Sequence, residues 1–360
     1  MKIVINGKFL LASIEGMPRV GRELTIAIDK LITEPKYRNL DIEIVTPRGG
    51  LNQIKLKNIP ILEVGNRQGV LWEQFDFPIN VGSAYSLNFT ATAPIIKHTG
   101  CVVIHDAQFR SAKKSHGWKT FILYNVITPI VSRRYKHIVS VSNYAKNEIL
   151  KHKVTNRNDI HVIYNGVDHF SKPEFEDDNN IFSKLQIERS QYALTNSYIH
   201  HHKNVRTILS AFKDYLPNRK LILFGSTLKS NYEENGVSVP ENAIFAGRVT
   251  DGELAALLRN ASMFIFPSTT EGFGLPPLEA MSLGTPTICS NLGAMPEICA
   301  GGALFVDQPY SAPEWAERIE TLWNDENLRA ELASKGRSVA ERYRWETSAR
   351  QYLDIIMAAE

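Results

Sequence analysis

Short apolar runs alternate along the chain with stretches of helical period, and the pattern occurs twice. Residues 3–5 form an apolar run that predicts a strand. A loop bearing Gly7, Gly16 and Gly21 follows, and positions 20–32 repeat with helical spacing. Residues 41–46 (DIEIVT) alternate as a strand does, and further strands are expected over 59–64, 101–104 and 137–141. Ser142 is placed to cap a helix over 144–152. Strands alternating with helices predict a parallel sheet with crossover connections.

The first series ends at residues 161–168 (HVIYNGVD), and a polar stretch, SKPEFEDDNN, follows shortly after. The Asn165-Gly166 turn and the charge run mark a domain boundary here. The alternation then restarts. Strands are expected over 191–195, 220–224, 263–266 and 287–290, and helices over 204–212 and 251–260. A last helix is expected from Trp345 onward. The expected organisation is two Rossmann-like α/β domains, 1–168 and 169–344, with 345–360 packing back on the first.

Composition adds bounds. At 360 residues the chain exceeds what one core usually organises. It is 43% hydrophobic and 22% charged, as soluble enzymes are, and its net charge of +3 suits an anionic ligand or surface without specifying one. Cys101, Cys289 and Cys299 include no CxxC pair, so neither a disulfide framework nor a zinc site is suggested. The N-terminus lacks a secretory pattern, and no run approaches a membrane span. A cytoplasmic protein is expected, with any contact at the inner face of the cell membrane peripheral.

The strongest chemical signal is FPSTTEGFGLPPLEAMSLGTPTICSNLGAMPEI, residues 266–298. A strand should end at Pro267, and Glu271 lies in the loop after it. Gly272-Phe273-Gly274 precede a helix expected over 277–283, which Pro276 and Pro277 suit to its first turn and Gly284 ends. Glycines let backbone amides approach a ligand, and a helix start favours anions, so the segment reads as a phosphate seat. Glu271 and Glu279 at this crevice suit a ligand rich in hydroxyls. A plain βα turn with solvated glutamates is the bland alternative.

The block E-G-F-G-L-P-x-L-E-A-M-x-x-G-T-P resembles the signature of retaining glycosyltransferases of the GT-B fold, family GT4. VIYNGVD (162–168), FAGRVTDGELAAL (245–257), ASMFIFPS (261–268) and GAMPEI (293–298) are similar to the same family. VIHD (103–106) and VSVSNYAKNEI (139–149) match it more loosely. The resemblance implies two Rossmann-like domains facing each other across a cleft. The second would bind a nucleotide diphosphate sugar, and the first most of a glycan or lipid-linked acceptor. It implies that Glu271 bonds donor-sugar hydroxyls and Glu279 the ribose. It also implies that the backbone at Phe273, Gly274 and Leu275 holds the diphosphate. Lys203, in HHHKN, matches the family's phosphate-binding lysine and would neutralise the departing diphosphate. The family's arginine just upstream is missing, since Tyr198 and Ile199 stand there. His200, His201, His202 or Arg206 are left to supply that charge.

Five further residues are candidates. His105 would donate to a sugar hydroxyl or stabilise charge near the anomeric carbon, with Asp106 capping the next loop or orienting it. The Gly16 loop would bring Arg19 to the donor phosphates, and Arg248 lies near base or phosphate. Metal binding by the histidine triplet is not expected, because adjacent histidines diverge and no carboxylate accompanies them. No cofactor is expected beyond the donor substrate. Residues 113–136, basic at both ends and apolar between, read as a core helix broken near Pro129, or as a surface resting on an anionic membrane. Nucleic acid is not an expected partner. The implied activity is transfer of a hexosyl group, of mannosyl type, in surface polysaccharide biosynthesis. A non-catalytic nucleotide-sugar binder and a sugar-nucleotide epimerase are the alternatives.

Overall fold

The computed structural model describes residues 1–111, 118–171 and 177–358. The chain folds into two compact units, Met1–Gly166 with Arg344–Glu360, and Val167–Tyr343.

The first unit holds seven parallel strands: β1 (Lys2–Asn6), β2 (Asp41–Thr46), β3 (Ile61–Glu63), β4 (Tyr85–Asn88), β5 (Gly100–Ile104), β6 (His137–Ser140) and β7 (Ile160–Val162). Their order is β3-β2-β1-β4-β5-β6-β7, so the winding reverses between β1 and β4. Strands buried on both faces read as unbroken apolar runs, and Ile3, Val4, Ile5, Val102, Val103, Ile138 and Val139 are all fully buried. The sequence pattern does not predict strand β4. Its sequence, YSLN, has two polar residues, yet all four are buried. Asn88 is accommodated because Asn6 Nδ2 donates to its Oδ1 at 3.0 Å.

The helix Trp345–Met357 packs on the helix Met17–Leu31 and so belongs to this unit. Tyr352 meets Phe89 edge-on at 5.6 Å, and Arg350 forks onto both oxygens of Glu34 at 2.7 and 2.6 Å. A Cβ on Gly166 would lie 2.2 Å from the Trp345 backbone nitrogen, so only glycine fits there. The expected break near Pro129 is corrected, because Trp118–Arg134 is one continuous helix with Pro129 inside it. The proline forfeits one backbone bond, and burial of Ile127, Val131 and Tyr135 on either side holds the helix in place. Residues 113–117, at the start of the stretch weighed as a membrane surface, lie outside the described residues. No described helix is long and apolar enough to cross a membrane.

The second unit holds six parallel strands: β8 (Tyr192–Asn196), β9 (Lys220–Phe224), β10 (Ala243–Gly247), β11 (Met263–Phe266), β12 (Thr287–Ser290) and β13 (Ala303–Val306). The order β10-β9-β8-β11-β12-β13 reverses between β8 and β11. Ile208, Leu209 and Phe212 of the helix Val205–Asp214 pack with Leu221, Leu223, Ile265 and Trp315 in its core. Each such side chain contributes roughly 1.5–3 kcal/mol by burial.

Candidate functional site

Open α/β sheets bind ligands beyond the C-terminal strand ends where winding reverses. In the second unit that point lies between β8 and β11, and the loops leaving these two strands carry Lys203 and Glu271. After β8 the chain makes a short 3-10 turn, His201–Lys203, before the helix Val205–Asp214. Asn204 joins them in the left-handed region (φ 53°), with its Nδ2 donating to the Pro309 carbonyl at 2.6 Å. That anchor fixes where Lys203 emerges. The β11 loop is tied to the same turn, since the Thr269 N–H donates to the His202 carbonyl at 2.8 Å.

Between the two loops, Lys203 Nζ lies 2.5 Å from Glu271 Oε1, and the Ser268 hydroxyl donates to the same oxygen at 2.6 Å. Both charged side chains are largely withdrawn from water, the lysine 20% and the glutamate 13% exposed. The Lys203 ammonium also lies 5.8 Å from the centre of the Tyr198 ring. An aromatic ring thus neighbours the lysine where the resemblance leads one to expect a second cation. Gly293, at φ 68°, backs the Glu271 loop, and a Cβ there would lie 2.9 Å from the Glu271 nitrogen.

The helix after Glu271 runs Leu275–Ser282, two residues earlier than expected, with Gly274 as its cap at φ 99°. Pro276 and Pro277 carry no N–H, so donors at this helix start come from Leu275 and the residues before it. That narrows the anion seat to the backbone around Phe273, Gly274 and Leu275. Phe273 is held edge-on against Tyr343 at 5.6 Å. Glu279, on the second turn, is 8% exposed, and its Oε1 lies 3.1 Å from Nε2 of the fully buried His169. Sequence reasoning does not single out His169. Arg248 is exposed just after β10.

His105, Gly16 and Arg19 belong to the first unit. His105 follows β5 and is buried, with Nε2 2.7 Å from the Phe89 carbonyl. Burial pushes its pKa down to about 4. The neutral ring carries its proton on Nε2, because a carbonyl can only accept. The other nitrogen is then an acceptor. The expectation that His105 donates to a sugar hydroxyl is corrected accordingly. Asp106 Oδ1 accepts the Gln108 N–H at 2.9 Å and so caps the loop that follows. Gly16 (φ 55°) caps the helix Met17–Leu31. Arg19 is buried in the first turn of that helix, its Nη2 3.3 Å from the Ile14 carbonyl. Among the described residues, no group of three or more His, Cys, Asp or Glu is placed to hold a metal ion.

Comparison with known proteins fits this geometry. A family model described as glycosyl transferases group 1 matches residues 177–339, and one described as glycosyltransferase family 4 matches 71–169. The O-antigen chain mannosyltransferase RfbU of Salmonella typhimurium is 27% identical over 64% of this chain and 62% of its own. O-antigen chain mannosyltransferase B of Escherichia coli is 30% identical over 48% of each chain. These matches thus span about half to three-fifths of the relatives' lengths. Among solved structures, sucrose-phosphate synthase from Thermosynechococcus elongatus superposes with a TM-score of 0.74 at 15% identity, covering 100% of both chains. Anabaena HepE in complex with UDP and glucose superposes at 0.71 and 18% identity, covering 99% of this chain and 100% of that one.

Proposed function

Because the chain belongs to the group 1 glycosyltransferases, with the two parallel α/β units of the GT-B fold, we propose that it transfers a hexosyl group from a nucleotide diphosphate sugar. The acceptor is a glycan or lipid-linked glycan, in the biosynthesis of a surface polysaccharide. Transfer proceeds with retention at the anomeric carbon and without a metal. The second unit takes the donor, and the first contributes most of the acceptor site.

The observation that carries this reading is the contact of Lys203, Ser268 and Glu271 where β8 and β11 diverge, beside the helix start at Gly274. Lys203 stabilises the diphosphate as it departs, together with the amides at Phe273, Gly274 and Leu275. Glu271 accepts hydrogen bonds from sugar hydroxyls, and Glu279 accepts from the ribose. Arg19 and Arg248 add positive charge for the phosphates, and His105 accepts from a sugar hydroxyl. The names of the relatives, O-antigen mannosyltransferases, support a mannosyl-type donor. The HepE complexes support a nucleotide sugar.

A thermal-shift panel with UDP, GDP, ADP and TDP tests the donor site. One nucleotide should raise the unfolding temperature well above the others. With a labelled donor of that nucleotide, the wild type should transfer or slowly release sugar, while a folded Glu271→Ala variant should do neither. Full activity in that variant would sink the assignment.

A further inference from the structure

The helical stretch 69–81 of the first unit carries its charges inward and its apolar side chains outward. It runs through Gly69–Leu71, a π turn over Trp72–Asp76, and Phe77–Val81. Trp72 and Phe77 pack with Val4 and Val45 in the core. Both carboxylates of the stretch are buried and paired. Glu73 Oε1 lies 2.6 Å from Lys8 Nζ, and Asp76 Oδ1 lies 2.5 Å from Arg67 Nη1. Leu71, Phe75 and Ile79, spaced four apart on one side of the helix, are instead 60, 54 and 78% exposed. A surface helix ordinarily turns polar residues to that side. The loop after β4 lengthens the apolar row. Gln74 Nε2 donates to the Ala93 carbonyl at 2.9 Å, and its Oε1 accepts the Ile95 N–H at 3.0 Å. Lys97 Nζ donates to the carbonyls of Gly82 and Ala84 at 2.5 and 2.9 Å. Between those ties, Ile96 stands 65% exposed.

Single apolar residues on a surface are ordinary, but a row of four marks a place that something covers. Charge decides what covers it. Over residues 64–84 and 93–99 the only acids are Glu73 and Asp76, both buried. Cations edge the row. Arg67 lies over the Phe75 ring at 5.5 Å. His98, two positions after Ile96, has its Nε2 2.9 Å from Arg134 Nη2, and its carbonyl accepts the Lys136 N–H at 3.0 Å. His98, Arg134 and Lys136 are all exposed. An apolar row edged by cations complements an anionic lipid surface. A second copy of the chain fits less well, since a stable pair needs about 800 Å² from each partner, more than four partly exposed side chains supply. We infer that this face of the first unit seats on an anionic bilayer. Leu71, Phe75, Ile79 and Ile96 enter the boundary between headgroups and acyl chains, while Arg134 and Lys136 meet lipid phosphates. The apolar part of this face lies outside the stretch 113–136, which the sequence suggests for such a role.

Sedimentation of the intact protein with vesicles tests this, using phosphatidylcholine alone and phosphatidylcholine mixed with phosphatidylglycerol. The wild type should bind the mixed vesicles about tenfold or more tightly than the neutral ones, and less tightly as salt is raised. Phe75→Ser combined with Ile79→Ser should weaken binding to the mixed vesicles by about tenfold or more. Arg134→Gln combined with Lys136→Gln should remove most of the preference for anionic lipid. All four positions are exposed, so the urea midpoint and nucleotide affinity of these variants should match the wild type's. If the serine variant does not fold, Ile79→Glu alone makes the same comparison. A wild type that stays in the supernatant with both vesicles overturns the proposal, and so does a serine variant that sediments as the wild type does. Light scattering that shows a wild-type dimer split by Ile79→Glu also overturns it, because a second copy then covers the row.

Discussion

Glu271→Gln should have opposite effects on two ligands. In the ligand-free protein the Glu271 carboxylate holds Lys203 Nζ at 2.5 Å, and the same ammonium is assigned to the diphosphate. A hydrogen bond to a charged group contributes about 1.5–3 kcal/mol, with the lower end fitting a lysine that still meets solvent. An amide keeps the shape of the side chain but removes a negative charge from beside the diphosphate. Bare UDP or GDP, which has no sugar for Glu271 to bind, should then bind about tenfold more tightly, a gain of about 1.4 kcal/mol. Sugar transfer should fall by about a hundredfold or more, since the carboxylate's bonds to donor hydroxyls are lost. Lys203→Met should weaken the same nucleotide about tenfold. Its stability should drop by about 2 kcal/mol, between the cost of breaking an exposed pair and a fully buried one. The double variant should lose less than the two singles combined. Calorimetric titration at fixed salt, with urea unfolding alongside, reads all of these. If Glu271→Gln weakens the bare nucleotide as Lys203→Met does, the two residues do not divide sugar and diphosphate in this way.

Further outcomes follow from other parts of the molecule. Gly274→Ala places a side chain at φ 99°, which costs about 1–3 kcal/mol in backbone strain. The nearby Met295 methyl can move aside, so nucleotide affinity should fall more than stability, as titration and urea unfolding will show. His105 is neutral in the fold down to about pH 4, whereas an unfolded histidine takes up a proton near 6.5. The unfolded state therefore binds more protons between those values, and stability should fall by up to about 3 kcal/mol as pH drops from 6.5 to 4. His105→Gln should remove that part of the slope in denaturation curves taken across the range. Tyr352→Ala opens a cavity against Phe89 and should cost the first unit about 3–5 kcal/mol, read as a lower urea midpoint.

Much of the fold is legible in the sequence because parallel strands buried on both faces are continuous apolar runs. MFIF at β11 and TICS at β12 fall where expected. Strand β4 is hidden because its Ser86 and Asn88 are buried through a polar network that pairs Asn88 with Asn6, which periodicity cannot register. Strands β10 and β13 lie at the sheet edges and are only partly buried, so neither shows the continuous burial of the central strands. Pro129 reads as a break because local rules weigh the lost backbone bond and not the packing of Ile127 and Val131. At the candidate site, the glycines and prolines around Gly274 carry the phosphate seat in the sequence. The contact between Lys203 and Glu271 has no such signal, since only the adjacency of β8 and β11 creates it. His169 has none beyond its place after Asp168. Its burial beside Glu279 emerges from packing between segments far apart in the chain.

The central claim is that the second unit's switch point binds a nucleotide sugar and releases its nucleoside diphosphate. Proton NMR of the protein with GDP-mannose, and separately with UDP-glucose, follows donor, products and anomeric configuration in one tube. One donor should be consumed, with nucleoside diphosphate appearing and the first sugar product keeping the donor's anomeric configuration. A donor that stays intact, or a first product of inverted configuration, would contradict the account.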